Sequence, residues 1–243
     1  MKNRSSTHKQ RGQSAVEVAL LVGMVALFVI GILRIMGVDL EGVFCRVANG
    51  VGLQTAVCPG SGVVFWDDFS DGIEGWELDR GPNWRIEDGE LCAGPGPEHR
   101  AYAIDSEGSN YTISLDATLK KGDGYGVYFR AIESNVNGYT FQYDKGFGAP
   151  GAFIFRKWIN GQEMSPFRPW QPAPAGYQWF GVKRHVVISV RGNEYTAAVD
   201  GQVVATAVDD AAHPVPFFED GRIGLRTWGG TEACFDNVQI TMP

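Results

Sequence analysis

From residue 63 to the C-terminus, apolar and polar positions alternate in short runs, and turn signals interrupt them every several residues: SDG, RGPN, EDGE, SEGSN, KGDG, NVNG, NGQE, RGN, VDGQ, EDGR and WGG. A period of two puts successive side chains on opposite faces, so these runs predict strands half buried in a sheet. His185–Val190, Tyr195–Val199 and Val203–Val208 predict a meander joined by Arg191-Gly192-Asn193 and Asp200-Gly201. Strands without partner helices predict an all-β antiparallel sandwich or barrel. In the strand predicted over Tyr125–Ala131, Val127 and Phe129 face the core, which sends Tyr128 and Arg130 to the opposite face. The next strand applies the same alternation to Gln142 and Asp144 among Tyr139, Phe141 and Tyr143. Arg156, Trp158, Arg226 and Trp228 complete a candidate surface on which aromatic faces stack on sugar rings and polar side chains bind hydroxyls. The long loop from Phe147 to Gln178, rich in proline and carrying Phe167, Trp170 and Tyr177, is a second candidate contact surface.

The N-terminal quarter follows another rule. Residues 1–12 form a short basic leader, and residues 13–53 are apolar and helical in pattern, with sixteen residues from Val18 to Leu33 free of polar side chains. With its flanks this segment is long enough to cross a bilayer, and the basic leader predicts a cytoplasmic N-terminus. The Pro/Gly/Ser-containing residues 54–62 read as a linker to a head over 63–243. Neither a secretory signal peptide nor a plain anchor accounts for Glu17, a carboxylate inside the start of the apolar run, where a charge normally has a functional reason. No A-x-A-like cleavage motif follows the run either.

Gly12-Gln13-Ser14-Ala15-Val16-Glu17 resembles the processing site of type IV prepilins, and within them the Flp (type IVb) pilins and TadE-like proteins. The resemblance implies cleavage between Gly12 and Gln13 by a prepilin peptidase. It also implies a precursor in the cytoplasmic membrane, and self-association into an extracellular helical filament in which Glu17 meets the freed amine of a neighbouring subunit. Val18 departs from the family pattern, which has an aromatic residue at that place.

Charge changes the picture only by exclusion. The net charge is −7, and the four basic residues of the acid-free leader leave −11 on the remainder, which argues against nucleic acid as a partner. The four cysteines, Cys45, Cys58, Cys92 and Cys234, show no zinc spacing. For an exported chain two disulfides are the leading expectation, with free buried thiols the alternative. Cys45 and Cys58 are near enough in sequence to close a short loop.

The head resembles the concanavalin A-like lectin and glucanase superfamily, including laminin G-like domains. The resemblance is carried by FWDDFSDGIEGW, NWRIEDGELCA, YGVYFRAIESNVNGYTFQYD, the meander, GRIGLRTWGG and the closing CFDNVQI. It implies a jelly-roll sandwich whose first and last strands are neighbours, which would bring Cys92 and Cys234 together. That neighbourhood also makes Asp68 and Asp236 a candidate calcium pair, although ordinary turn and edge-strand polarity accounts for them as well. No cofactor is required by the sequence. The E-x-D-x-x-E arrangement of the laminarinase-like members is absent, and Glu87-Asp88-Gly89-Glu90 reads as a solvated hairpin tip. On that ground the expectation is a pilin-like subunit whose head binds glycans or mediates adhesion and is not an enzyme. The alternatives are a membrane-tethered carbohydrate-active enzyme and a structural subunit with a non-binding coat.

Overall fold

A computed structural model describes residues 63–132, 136–210 and 216–242. These residues build two eight-stranded sheets. In the first, the order is β14 (Gln202–Val208), β13 (Glu194–Val199), β12 (Lys183–Arg191), β6 (Tyr111–Lys121), β16 (Glu232–Thr241), β4 (Glu90–Ala93) and β3 (Trp84–Glu87), with β1 (Val63–Asp67) also on β16. In the second, it is β10 (Gln162–Glu163), β9 (Ala152–Ile159), β8 (Asn137–Asp144), β7 (Gly124–Ile132), β15 (Arg222–Trp228), β5 (Glu98–Ala103) and β2 (Trp76–Arg80), with β11 (Gln171–Pro172) also on β9. Every named pairing is antiparallel. The predicted meander is present as β12, β13 and β14, each within two residues of its expected ends. Asp200 and Gly201 both take positive φ in its second turn, the geometry a two-residue hairpin needs. Asp88 and Gly89 do the same at the tip between β3 and β4.

The two sheets bury different patterns. β6 alternates strictly between buried and half-buried positions until its last residues, and its inward set of Tyr111, Ile113, Leu115, Ala117 and Leu119 lies in the main core. Facing it from the second sheet are Tyr125, Val127, Phe129, Tyr139, Phe141, Tyr143, Phe153, Phe155 and Leu225. By contrast, β7, β8, β9 and β15 are buried at nearly every position, because side chains also cover their outward face. A second, smaller cluster of Tyr102, Tyr128, Ala131, Val136 and Trp158 sits there. The jelly-roll-like sandwich thus agrees with the expected fold class, and no helix occurs among the described residues.

β1 lies beside the last strand, as the resemblance implies, with Val63 opposite Thr241. Cys92 and Cys234 are directly opposite one another on β4 and β16 and form a disulfide. Cys92 therefore sits on the fourth strand, and β16 reaches it because β1 and β4 pair with opposite ends of that strand. The leader, the apolar segment, Glu17, and Cys45 with Cys58 lie outside the described residues.

Candidate functional site

The outward face of the second sheet is laid out by strand register. One row across it reads Arg100, Arg226, Gly126, Gln142 and Ile154; the row on one side reads Tyr102, Gly224, Tyr128, Thr140 and Arg156. On the other side, Glu98 and Trp228 align with Gly124, Asp144 and Ala152. Glycines in the two central strands make this face fit its rings. A Cβ on Gly124 would stand 3.0 Å from the Trp228 indole, and one on Gly224 would stand 2.6 Å from the Tyr102 ring. The indole of Trp228 therefore lies close against β7 where a larger residue would lift it off.

Of the residues predicted for this surface, Tyr128, Gln142, Asp144, Arg156, Trp158, Arg226 and Trp228 are brought to it. Arg130 is not. It takes a positive φ of 47° at an irregularity where β7 slips register against both neighbours, so the simple alternation ends one residue too early for it. Its guanidinium binds the carbonyls of Ser109 and Phe218 and lies 5.8 Å from the Tyr195 ring centroid, tying down loops at the sandwich edge.

Of the aromatic members Tyr128 and Trp158 are buried and Trp228 is half-buried. Trp158 is 4% exposed, donates to Thr140 Oγ1 at 3.2 Å and is capped by the Arg226 guanidinium 4.6 Å from its ring. Arg226 also lies 4.7 Å from the Trp228 ring, so it bridges both indoles. Two carboxylates hold it in place: Nε donates to Glu98 Oε1 and Nη1 to Glu163 Oε1, each at 2.8 Å. Glu98 in turn accepts from Arg100 at 2.8 Å. Burial works to raise the Glu98 pKa, but the charges of Arg226 and Arg100 outweigh it and hold the carboxyl below its usual range.

The network runs on towards the other end of the face. Glu163 accepts from Gln142 Nε2, Gln142 Oε1 accepts from Arg156 Nε at 3.0 Å, and Arg156 Nη1 donates to the Met164 carbonyl at 3.0 Å. Beside them Asp144, 7% exposed, has its carboxyl pushed up to about 6. Desolvation is the largest cause; the Arg156 charge and the backbone amides of Phe147 and Gly146 oppose it, and Glu163 adds to it. A carboxyl of that kind changes protonation near neutrality. Phe147 stands under Arg156, 5.3 Å from its guanidinium, and edge-on to Trp170 at 5.1 Å.

Glu98, Arg100 and Glu163 were not foreseen. The spacing of Glu98, Arg100 and Tyr102 carries a readable alternation, whereas Glu163 lies within the turn signal NGQE and only the β9–β10 hairpin turns it over the face. Asp68 and Asp236 engage separate partners. Asp68 Oδ1 accepts from Ser70 N at 3.1 Å, and Asp236 Oδ2 from Lys183 Nζ at 3.0 Å. No cofactor is evidenced. The one metal-ligand grouping among the described residues, Glu87 with Cys92 and Cys234, has its thiols consumed in the disulfide.

This architecture is that of carbohydrate-binding and glycosidase-like β-sandwich domains. The carbohydrate binding module CBM66 from Bacillus subtilis is similar at 22% identity and a TM-score of 0.56, over 70% of this chain and 97% of that one. A Bacillus licheniformis beta-glucanase is similar at 14% identity and a TM-score of 0.54, over 76% and 100%. A Bacillus subtilis protein of unknown function with a galectin-like fold gives 11% identity and a TM-score of 0.59, over 75% and 97%. These likenesses establish the fold. No curated protein sequence matches. Residues 65–241 match the family of 3-keto-alpha-glucoside-1,2-lyase-like domains, and the chain belongs to that family.

The family overturns the expectation that the head is not an enzyme, as it is described by a lyase activity. That expectation rested on a missing run of acids within one strand. Acidic side chains do meet on this face, from three different strands, Glu98 on β5, Asp144 on β8 and Glu163 on β10, a grouping no single-strand motif reveals.

Proposed function

We propose that this chain is a membrane-tethered carbohydrate-active protein whose second-sheet face binds a glycoside and breaks its glycosidic bond, with Asp144 as the base. The observation that carries this is the Asp144 carboxyl, sunk in the face with its pKa pushed to about 6 and Arg156 beside it. Membership of a 3-keto-alpha-glucoside-1,2-lyase-like family supports the reaction type. A ketone at C3 acidifies the proton on C2. Asp144 takes that proton, the C2–H electron pair becomes the C1=C2 double bond, and the C1–O bond breaks with its pair on the departing oxygen, which takes a proton from water. Arg156 stabilises the negative charge that develops next to the ketone, and Gln142 and Glu163 fix Arg156 and the sugar hydroxyls.

The test is release of the C1 substituent from a 3-keto-α-glucoside and from its unoxidised parent by the purified full chain. Cleavage of the keto sugar alone is expected. Equal cleavage of both would remove the elimination chemistry, binding without cleavage would leave a carbohydrate-binding protein, and neither would sink the proposal.

A second reading concerns the tether. Gly12 followed five places later by Glu17 favours a prepilin-like subunit, inserted in the cytoplasmic membrane and then assembled into a surface filament that displays the head. Here the mature protein begins at Gln13. N-terminal sequencing that finds Met1 retained, or a start beyond Gly37, would remove the filament and keep the tether.

A further inference from the structure

We propose a second sugar subsite at Arg168, Pro169 and Trp170, which binds the ring next to the one at Asp144 through stacking on the Trp170 indole; the inference rests on the carbohydrate reading above. These three residues line a pocket of about 380 Å³ at the tip of the long loop after β10. The tip is fastened on both sides. Before it, Phe167 is 3% exposed in the main core and its N–H donates to the Phe155 carbonyl at 2.9 Å. After it, Gln171 and Pro172 pair with Phe153 and Ala152 as β11, and Ala173 N donates to the Gly151 carbonyl at 2.9 Å.

A loop anchored at both ends spends little ordering free energy when a ligand arrives, so its exposed tip is a preformed surface. Trp170 is only half buried, and among the described residues the one ring packed on it, Phe147, meets it edge-on at 5.1 Å with planes at 87°. Edge-on packing fixes the indole without spending both faces. Among the described residues no hydrogen bond or ion pair engages the Arg168 guanidinium, which is exposed at the pocket and suited to sugar hydroxyls.

Continuity sets the ligand class. Phe147 joins Trp170 to Arg156, which binds Gln142. Phe147 also follows Asp144 by three residues, and its backbone amide acts on that carboxyl. The pocket is thus an aromatic surface beside the face on which the reacting ring is placed, while the indoles of Trp158 and Trp228 are both already covered by Arg226. Extended saccharides should therefore run from Asp144 towards Trp170, away from Arg226.

The experiment measures binding of α-linked glucosides of one to four rings to the full chain, to Trp170→Ala and to Asp144→Asn, with thermal unfolding as the folding control. For the wild type, two or more rings are expected to bind about ten- to fiftyfold tighter than one. In Trp170→Ala that gap should shrink to about twofold while the unfolding midpoint stays in place, and Asp144→Asn should keep the gap. An undiminished gap in Trp170→Ala, an equal loss for one ring and for several, or no gap in the wild type would overturn the subsite. Asp144→Asn separates the two claims, because retained cleavage there counts against the base assignment and leaves the subsite standing.

Discussion

Asp144 carries two separable consequences. Its pKa is raised from 3.8 to about 6, so between those values the folded state binds more protons than the unfolded one, and stability falls as pH rises through this window. Above pH 6 the charged carboxyl costs on the order of 2–3 kcal/mol. Asp144→Asn keeps the shape and removes the charge. It should raise the unfolding midpoint at pH 8 by several degrees and leave it unchanged at pH 3.5, which a pair of thermal scans checks. Arg226 works the other way. Replacing it with alanine leaves Glu98 and Glu163 without their shared cation and uncovers Trp158, at a cost of about 2 kcal/mol. Urea unfolding should show the loss, and a tryptophan quencher should reach Trp158.

At the scale of elements, alternation was readable wherever a strand has one wet face, as in the meander and in β6. It also put Tyr128, Gln142 and Asp144 on one face, and the strand registers align them with the rows of Arg156 and Arg226. It failed at Arg130, because a register slip and a positive φ leave no mark in a hydropathy pattern. Glu163 was illegible for a related reason: a two-residue strand folded back by a turn looks like turn polarity. The capping of Trp158 and Trp228 by Arg226 leaves no mark in the sequence, because which guanidinium caps which indole depends on packing between strands. The loop around Trp170 hangs on the Phe167 anchor, so Phe167→Ala should cost about 3–5 kcal/mol. Limited proteolysis between residues 164 and 178 should accelerate in parallel.

For the whole molecule, the disulfide matters through the unfolded chain. Cys92 and Cys234 are 142 residues apart, so the link closes most of the head into one loop. Replacing both with serine should lower stability by about 3–5 kcal/mol in urea, with the native site geometry retained. The apolar N-terminal segment presents a different question, that of address. If Glu17 meets the freed amine of a neighbouring subunit, Glu17→Gln should leave cleavage and head folding intact and reduce filament yield, since each subunit would then bury one uncompensated charge. Processed protein in membranes beside sheared filament gives the answer, and filaments at wild-type yield would leave the segment as a tether alone.

The central claim is that a sugar-handling face acts through one tuned carboxyl, and the most direct measurement is kcat/KM on a 3-keto-α-glucoside against pH for the wild type and Asp144→Asn. A base must be deprotonated to act, so the wild-type value should rise with pH and level off above about 6. Asp144→Asn should lose on the order of 10²–10⁴-fold at pH 7. Turnover by Asp144→Asn within a few-fold of the wild type, with the same pH profile, would contradict the account.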